Sequence, residues 1–203
     1  MMEMFPEHVK IPEKPEVKSV ELEASKTVLI IVDMQNAFVH ERGRLFVPES
    51  RRTIEPIKKL LEKARSKNVL VVYTQDWHQK DDPEFNMWGE HAVAGTWEAE
   101  IIDELKPLDR DVLVKKLRYD GFYGTYLDDV LRMRKIEKTV ITGTVANICV
   151  IHTAGSAAIR GYKVVIPVDC ISALNEFDYM STLRQATFLY RAILTTHDKI
   201  NFI

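Results

Sequence analysis

Three reactive side chains each follow a short run of apolar or β-branched residues. They are the carboxylate Asp33, the ammonium Lys116 and the thiol Cys149. A covalent hydrolase uses such groups together, because the ammonium favours the nucleophilic thiolate while the carboxylate takes the thiol proton and returns it to a leaving amine. If the fold brings the three together, attack of Cys149 on an amide carbonyl is the chemistry we expect.

Cys149 lies where a β-branched run, 138–142, gives way to a small and apolar segment, 147–160, that has helical character. Free backbone N–H groups and the positive end of the helix dipole at that point favour a thiolate and can hold an oxyanion. Two other interpretations remain open from the residues alone. Cys149 can be an ordinary buried core residue, and Lys116 can be a solvated lysine paired with Asp33.

A second set of polar residues suggests a metal site. Asp76 and His78 are two apart in an extended segment, so their side chains project to the same side, and a loop can return His91 to them. An aspartate and two histidines form three ligands of an open divalent-metal site. Spacing alone leaves open that these are solvated loop residues.

The elements that must position these groups alternate between strand and helix along the chain. Apolar runs predict strands at 27–32, 68–73, 111–114, 138–142, 163–168 and 192–195. Helical spacing predicts helices at 53–66, 97–105, 125–134, 147–160 and 178–190. The alternation predicts one doubly wound α/β domain: a mostly parallel six-stranded sheet with helices on both faces. Ligands of such sheets bind beyond the carboxyl ends of the strands.

The composition supports a single domain and excludes several partners. The chain has 203 residues, of which 46% are hydrophobic, and a formal net charge of −2. Its cationic residues form neither a stripe for nucleic acid nor a cationic membrane helix. Two cysteines and the lack of a signal-like segment predict a cytoplasmic protein without disulfides. We expect Cys170 to be structural.

The first 26 residues differ from the rest, because prolines and alternating charges interrupt any core periodicity. We expect 1–26 to form an arm that lies on a neighbouring subunit, and 27–203 to form the hydrolase domain. The protein is therefore expected to be a homo-oligomer, a dimer or a tetramer.

Four blocks of sequence, in order, are similar to the isochorismatase-like cysteine hydrolases, a superfamily of nicotinamidases, N-carbamoylsarcosine amidases and isochorismatases. The blocks are 32–38, 76–78 with 88–91, Lys116 with 119–125, and 143–149. The resemblance spans roughly 27 to 197 and implies that Asp33, Lys116 and Cys149 are a catalytic triad. It also implies a cis peptide between Thr144 and Val145, and an oxyanion hole made by the backbone N–H groups of Val145 and Cys149.

The resemblance to nicotinamidases further implies a divalent ion, zinc with manganese or iron as alternatives, on Asp76, His78 and His91. Such an ion binds a pyridine nitrogen and turns the carboxamide of the ring towards the thiol. Three aromatic residues close in sequence to the polar ones are expected to hold a flat neutral ring, with ordinary core packing as the alternative: Phe38, Trp77 and Phe122.

Two departures from the nicotinamidase pattern concern the substrate. Lys116 is followed by Tyr119 after only two residues and Asp120 replaces a serine, as in the N-carbamoylsarcosine amidases, and 79–83 lacks an additional histidine. We expect a cysteine-dependent amidohydrolase that cleaves a small amide through a thioester, with nicotinamide, giving nicotinate and ammonia, as the leading substrate. The alternatives are an N-carbamoyl or ureido amide, the vinyl ether of isochorismate, and a non-catalytic binding module.

Overall fold

A seven-stranded parallel sheet forms the centre of the computed structural model, which describes residues 10–203. Its strands are β2 (Thr27–Val32), β3 (Leu70–Asp76), β4 (Val112–Lys116), β5 (Lys138–Thr144), β6 (Lys163–Pro167), β7 (Ile171–Ser172) and β8 (Ile193–Thr195). Six of them follow one another across the sheet in the order β4-β3-β2-β5-β6-β8, and the short β7 pairs with β5. A separate parallel pair joins β1 (Val20–Leu22) to β9 (Ile200–Phe202).

Helices cover both faces of the sheet. They are α1 (Asn36–Val39), α2 (Ser50–Ser66), α3 (Phe85–Trp88), α4 (Leu127–Met133), α5 (Ile151–Ile159) and α6 (Glu176–Tyr190). A π-helical turn, Ala146–Val150, precedes α5, and short 3-10 turns occupy several connections. Among the described helices, none combines the length and apolar character that crossing a lipid bilayer requires.

The central strand β2 shows why its sequence is continuously apolar. All six of its residues are buried. Because side chains alternate across a strand, Ile30 lies in the core formed with α4, α5 and α6, whereas Leu29 and Ile31 lie in the core formed with α2. The predicted doubly wound α/β fold, with helices on both faces of a parallel sheet, is confirmed.

The helix predicted at 97–105 is wrong. This segment forms two separate 3-10 turns, Trp97–Ala99 and Asp103–Leu105, with extended backbone between them. Its backbone groups bond to the chain that follows β2: Glu100 O accepts from Asn36 N at 2.9 Å, and Ile102 N donates to Met34 O at 3.0 Å. Pairing with another segment therefore replaces the hydrogen bonds of a helix.

The predicted arm is also partly different, since Val20–Leu22 pairs with β9 of the same chain. Leu22 is 3% exposed and lies in the core on the α2 side, and Lys63 of α2 donates to Ile200 O at 2.8 Å. This part of the predicted arm therefore packs against the core of its own chain. Residues 1–9 of the predicted arm lie outside the described residues, and the homo-oligomer stays a prediction.

Candidate active site

The carboxyl ends of four adjacent strands supply the polar groups of the site. Asp33 directly follows β2, Asp76 and Lys116 are the last residues of β3 and β4, and Cys149 lies in the π-turn after β5. In the sheet register Asp76 is opposite Lys116, and Val32 is opposite Gly143. Because backbone ladders set these positions, the strand ends deliver all four side chains to one point.

Lys116 is the centre of a buried group that we call the charge cluster: Asp33, Asp76, Lys116 and Cys149. The Lys116 Nζ atom lies 2.7 Å from Asp33 Oδ2, 2.5 Å from Asp76 Oδ1 and 3.8 Å from Cys149 Sγ. Each side chain is almost fully buried. Thr74 completes the environment of Asp33, because its hydroxyl donates to Asp33 Oδ1 at 2.7 Å.

The charges of this cluster oppose ionisation of the thiol at rest. Burial raises the pKa of Cys149 well above its ordinary value; Lys116 lowers it, while Asp33 and Asp76 raise it further. Two carboxylates and one ammonium already leave a net negative charge, so a thiolate would add a second one in a buried place. Burial and the two carboxylates therefore outweigh Lys116, which lowers the pKa of Cys149 as expected, so the thiol form is favoured at rest.

The same cluster provides a proton acceptor for the thiol. Burial raises the pKa of Asp33, with Lys116 opposing and Asp76 adding to the rise, so this carboxyl is more basic than an exposed one. Burial lowers the pKa of Lys116, but the two carboxylates raise it well above its ordinary value, and the side chain stays an ammonium. Carboxylate oxygens of Asp33 and Asp76 and the Cys149 sulfur all lie within 4.8 Å of one another. Asp33 can thus take the proton as Cys149 reacts.

The π-turn changes the backbone hydrogen bonding at Cys149. Val145 O accepts from Ile148 N at 3.1 Å and from Val150 N at 3.2 Å, and the intervening Cys149 N–H is not among its donors. The peptide bond between Thr144 and Val145 is cis, as the resemblance implies. Cys149 therefore lies in a π-turn rather than in the first α-helical turn. Its N–H does not donate to Val145 O, the carbonyl four residues earlier that would accept it in an α-helix.

Gly143 permits the close approach of β5 to β2 just before this turn. Its φ is +110°, and a Cβ atom there would lie 2.0 Å from Val32 O. Only glycine adopts this conformation without strain and leaves this space free. The residue thus brings the Cys149 turn against the strand that ends at Asp33.

Asp76, His78 and His91 form a second group, which we call the histidine group. Their ligand atoms lie within 4.8 Å of one another, and all three residues are buried. The Nδ1 atom of His78 is 3.0 Å from Asp82 Oδ2, and that of His91 is 2.9 Å from Gly89 O. Among the described residues, His78 Nε2 has no hydrogen-bond partner and lies 3.8 Å from Asp76 Oδ2.

This arrangement fits a divalent ion. A buried nitrogen without a partner costs free energy unless something binds it, and a carboxylate with two imidazoles suits zinc, manganese or iron. Burial lowers the pKa of His91, which favours the neutral ring that a ligand needs. For His78 burial also lowers the pKa, but Asp76 and Asp82 outweigh it and raise the pKa. Lys116 and His78 outweigh the effect of burial and lower the pKa of Asp76 to about 2, so its carboxylate is ionised.

One cavity of about 280 Å³ touches both groups. Its walls are mainly apolar, with a few polar side chains, as is usual for a small-molecule site. It is lined by Phe38, Arg44, Leu45, Phe46, Val47, Asp76, Glu84, Trp88, His91, Tyr119, Val145, Ile148, Cys149 and Leu174. A single small ligand can therefore contact Cys149 and the histidine group at the same time.

The structure supports one of the three predicted aromatic residues of the pocket. Phe38 lines the cavity, whereas Trp77 and Phe122 do not. Side chains alternate in direction along the extended segment, so the Trp77 ring points away from the side that carries Asp76 and His78. The Lys115 ammonium lies over this ring, with Nζ 3.7 Å from the ring centre. Phe122 is buried in the core and stacks on Tyr162 with ring centres 6.2 Å apart.

Sequence reasoning missed several residues of the cavity. Trp88 and Tyr119 form part of its wall, and Trp88 Nε1 donates to the Tyr119 hydroxyl at 2.8 Å. Glu84 is a nearly buried carboxylate, and burial, followed by Asp76, raises its pKa. The sequence feature that could have indicated Glu84 is an acidic run, 81–84, shortly after His78. Such a run resembles an ordinary solvated loop.

Comparisons with known proteins agree with this geometry. The sequence matches the isochorismatase domain over residues 27–199. Ureidoacrylate amidohydrolase RutB of Rhizobium rhizogenes is 31% identical, covering 94% of this chain and 87% of that protein. The crystal structure of N-carbamoylsarcosine amidase from Thermoplasma acidophilum is similar with a TM-score of 0.79 and 39% identity, over 85% of this chain and 97% of that one. Pyrazinamidase of Pyrococcus horikoshii, solved in complex with zinc, has a TM-score of 0.80 and 28% identity, over 84% and 99% of the two chains.

Proposed function

The chain belongs to the isochorismatase family, and on that premise we propose that it hydrolyses a small amide with Cys149 as nucleophile, Asp33 as proton carrier and Lys116 as a fixed cation. Its amidase relatives support a hydrolase of carbon–nitrogen bonds. One observation carries the residue assignment: Lys116 Nζ contacts Asp33, Asp76 and Cys149 together, and two of these three, Asp76 and Cys149, line the cavity.

The first half of the reaction forms a thioester. Asp33 takes the proton of Cys149 as the sulfur attacks the amide carbonyl carbon, and the carbonyl oxygen becomes an oxyanion. We assign the backbone N–H groups of Val145 and Cys149 as its donors, each worth about 3 kcal/mol by comparison with other hydrolases. Lys116 remains charged and offsets the negative charge that gathers around it.

The second half releases the products. Asp33 gives its proton to the amide nitrogen, the carbon–nitrogen bond breaks and ammonia leaves. Water then attacks the thioester carbonyl while Asp33 takes a proton from it, and the carbon–sulfur bond breaks. The acid leaves, and the proton returns from Asp33 to Cys149. One carboxylate thus serves as base and acid in turn.

For the substrate we propose a pyridine carboxamide, with nicotinamide as the leading candidate. The histidine group supports this choice, because Asp76, His78 and His91 would hold a divalent ion beside the same cavity as the nucleophile. When bound, the ion supplies a Lewis-acid contact for the pyridine nitrogen. Phe38 provides an aromatic wall for the ring, and the zinc complex of the similar pyrazinamidase is consistent with zinc as the ion.

A ureido or N-carbamoyl compound is the second candidate, and Glu84 favours it. This nearly buried carboxylate lines the cavity, and its contact with Arg118 Nη1 is 3.8 Å long, beyond hydrogen-bond distance. It can accept N–H groups from a ureido substrate. The same carboxylate disfavours an anion such as isochorismate. A buried charge cluster without a function is costly, which argues against a non-catalytic module.

An assay of ammonia release from a panel of amides tests these proposals. Wild-type protein should hydrolyse nicotinamide, Cys149→Ala should not, and a chelator should weaken the reaction. Hydrolysis of ureido or N-carbamoyl compounds alone, unaffected by chelator, would favour the second candidate. Wild-type protein that releases no ammonia from any of them would contradict the amidohydrolase.

A further inference from the structure

We propose that Asp82, held by Arg118, is a positioning residue that fixes the ring of His78 in the tautomer that a divalent ion requires. The proposal rests on the metal site of the proposed function. In this arrangement Asp82 and the Arg118 guanidinium act on the histidine group without contacting the ion.

Asp82 receives donors on both of its oxygens. Oδ1 accepts the backbone N–H of Glu84 at 2.9 Å, and Oδ2 lies 3.0 Å from His78 Nδ1. Arg118 Nη1 lies 3.0 Å from Oδ1 and 3.2 Å from Oδ2. An ionised carboxylate can only accept, so the hydrogen between Asp82 and His78 belongs to the histidine.

The position of that hydrogen determines what the other ring nitrogen can do. A neutral imidazole carries one N–H, so a hydrogen on Nδ1 leaves a lone pair on Nε2. His78 Nε2 is buried without a hydrogen-bond partner in the described part of the chain, and it faces Asp76 Oδ2 at 3.8 Å. Metal-binding histidines are commonly oriented by a carboxylate in this way.

His91 shows the same arrangement with a different acceptor. Its Nδ1 lies 2.9 Å from the backbone carbonyl of Gly89, which also can only accept. The centres of the His78 and His91 rings are 4.7 Å apart. In both histidines Nε2 is therefore the nitrogen left free to bind an ion. Only the acceptor of His78 is a side chain, so only that one can be changed by a substitution.

Arg118 links this loop to the end of β4, two residues beyond Lys116. Its side chain is 39% exposed and also lies 3.8 Å from Glu84 Oε2. Its guanidinium hydrogen-bonds to the Asp82 carboxylate and holds it in place without reaching the histidine group. Removing it should loosen the position of His78 less than changing Asp82 does.

Asp82→Asn is the sharpest test. The amide oxygen can still accept from Glu84 N, which places the NH₂ group against His78 Nδ1 and favours the tautomer with its hydrogen on Nε2, where the ion would bind. Zinc affinity, measured by competition with a chromophoric chelator, should fall about 10- to 100-fold. Arg118→Met should lower it by a smaller factor. The matched control Asp81→Asn, an exposed neighbour, should leave it unchanged.

Nitrogen-15 NMR of histidine-labelled, zinc-free protein at alkaline pH reports the tautomer directly. His78 should carry its hydrogen on Nδ1 in the wild type and on Nε2 in Asp82→Asn. Wild-type protein that fails to bind zinc would overturn both this proposal and the metal site. Equal zinc affinity in wild type and Asp82→Asn would overturn only the role of Asp82, as would weaker binding with the tautomer unchanged or an Nε2 hydrogen in the wild type.

Discussion

The charge cluster and the histidine group share Asp76 but are held in place by different means. Asp76 and Lys116 end strands, and Asp33 and the turn bearing Cys149 follow strands, whose register is set by backbone ladders. In the histidine group only Asp76 belongs to a strand, and His78 and His91 lie in the connection from β3 to β4. The ladders of the sheet position the first group, whereas an isolated backbone bridge between His78 and Val93 and the hydrogen bonds of the two imidazole rings position the second.

This difference suggests that the charge cluster and the histidine group have separate roles. Asp76 directs Oδ1 to Lys116 and Oδ2 towards His78, so each group uses a separate oxygen. Groups on strand ends are well suited to bond breaking, which requires fixed geometry. Groups on a loop can change with the ligand that the protein binds. Substitutions in the two groups should therefore have separable effects.

The largest effect should come from the proposed nucleophile. Cys149→Ala should lower kcat by about 10⁴-fold or more, as removal of a nucleophile does in other hydrolases, because no other thiol reaches the substrate. Zinc affinity should stay unchanged, since the histidine group does not include Cys149. Steady-state ammonia release and zinc titration measure the two properties. Cys170→Ala is the control, and an equal loss of activity in both variants would contradict the assignment.

Gly143→Ala should disturb the packing of β5 against β2, on which the charge cluster depends. The added Cβ meets Val32 O, and the positive φ strains any side chain, so the free energy of unfolding should fall by about 3 kcal/mol. Gly161→Ala shares a positive φ of +91° but has open space around its Cβ, and should cost only about 1 kcal/mol. Urea denaturation measures both. Equal losses would show that the close approach to Val32 is unimportant.

His91→Ala should affect binding while it spares the chemistry. Loss of one ligand of the histidine group should raise KM for a pyridine carboxamide about tenfold, equivalent to about 1.4 kcal/mol, with kcat changed less. Iodoacetamide should still alkylate Cys149. His40→Ala, outside the cavity lining, serves as the control. A kcat that falls as far as in Cys149→Ala would remove the distinction between the two groups.

The smallest effect is a shift in thiol acidity. Because the pKa of Cys149 is raised, alkylation of the metal-free protein should begin above the pH expected for a thiol of pKa about 8.5. Asp33→Asn removes a negative charge and should lower that pH by about one unit, while Lys116→Met removes a positive charge and should raise it by about one unit.

Lys115→Met is the matched control for these alkylation profiles, because Lys115 is exposed and lies over Trp77. Its profile should follow the wild type. A profile that responds to Lys115 and ignores Lys116 would contradict the geometry of the charge cluster.

Much of the fold followed from the sequence because buried parallel strands leave a clear pattern. The β2 run ends at Asp33 and the β3 run at Asp76, so the shared edge of the sheet could be predicted from apolar residues and the polar residues that follow them. The 97–105 segment could not, because its hydrogen bonds go to residues 34–36, and nothing local in the sequence shows that pairing.

Within the site, the residue types were predictable, but their interactions were less so. The raised pKa of Cys149 comes from its burial and from the nearby Asp33 and Asp76 carboxylates, which together outweigh Lys116, and these surroundings appear only once the strands are aligned. Trp77 was misplaced because closeness in sequence to His78 does not give closeness in direction. Asp82 resembled a solvated loop acid until its contacts with His78 and Arg118 were visible.

The β1–β9 pair joins segments that have nearly the whole described chain between them. Closing so long a loop costs conformational entropy before any contact compensates for it, so we expect this pair to form after the main sheet. It should also be among the first elements to open when the folded protein fluctuates. On that expectation, the strand ends that carry the charge cluster come together before β1 and β9 join the two ends of the described chain.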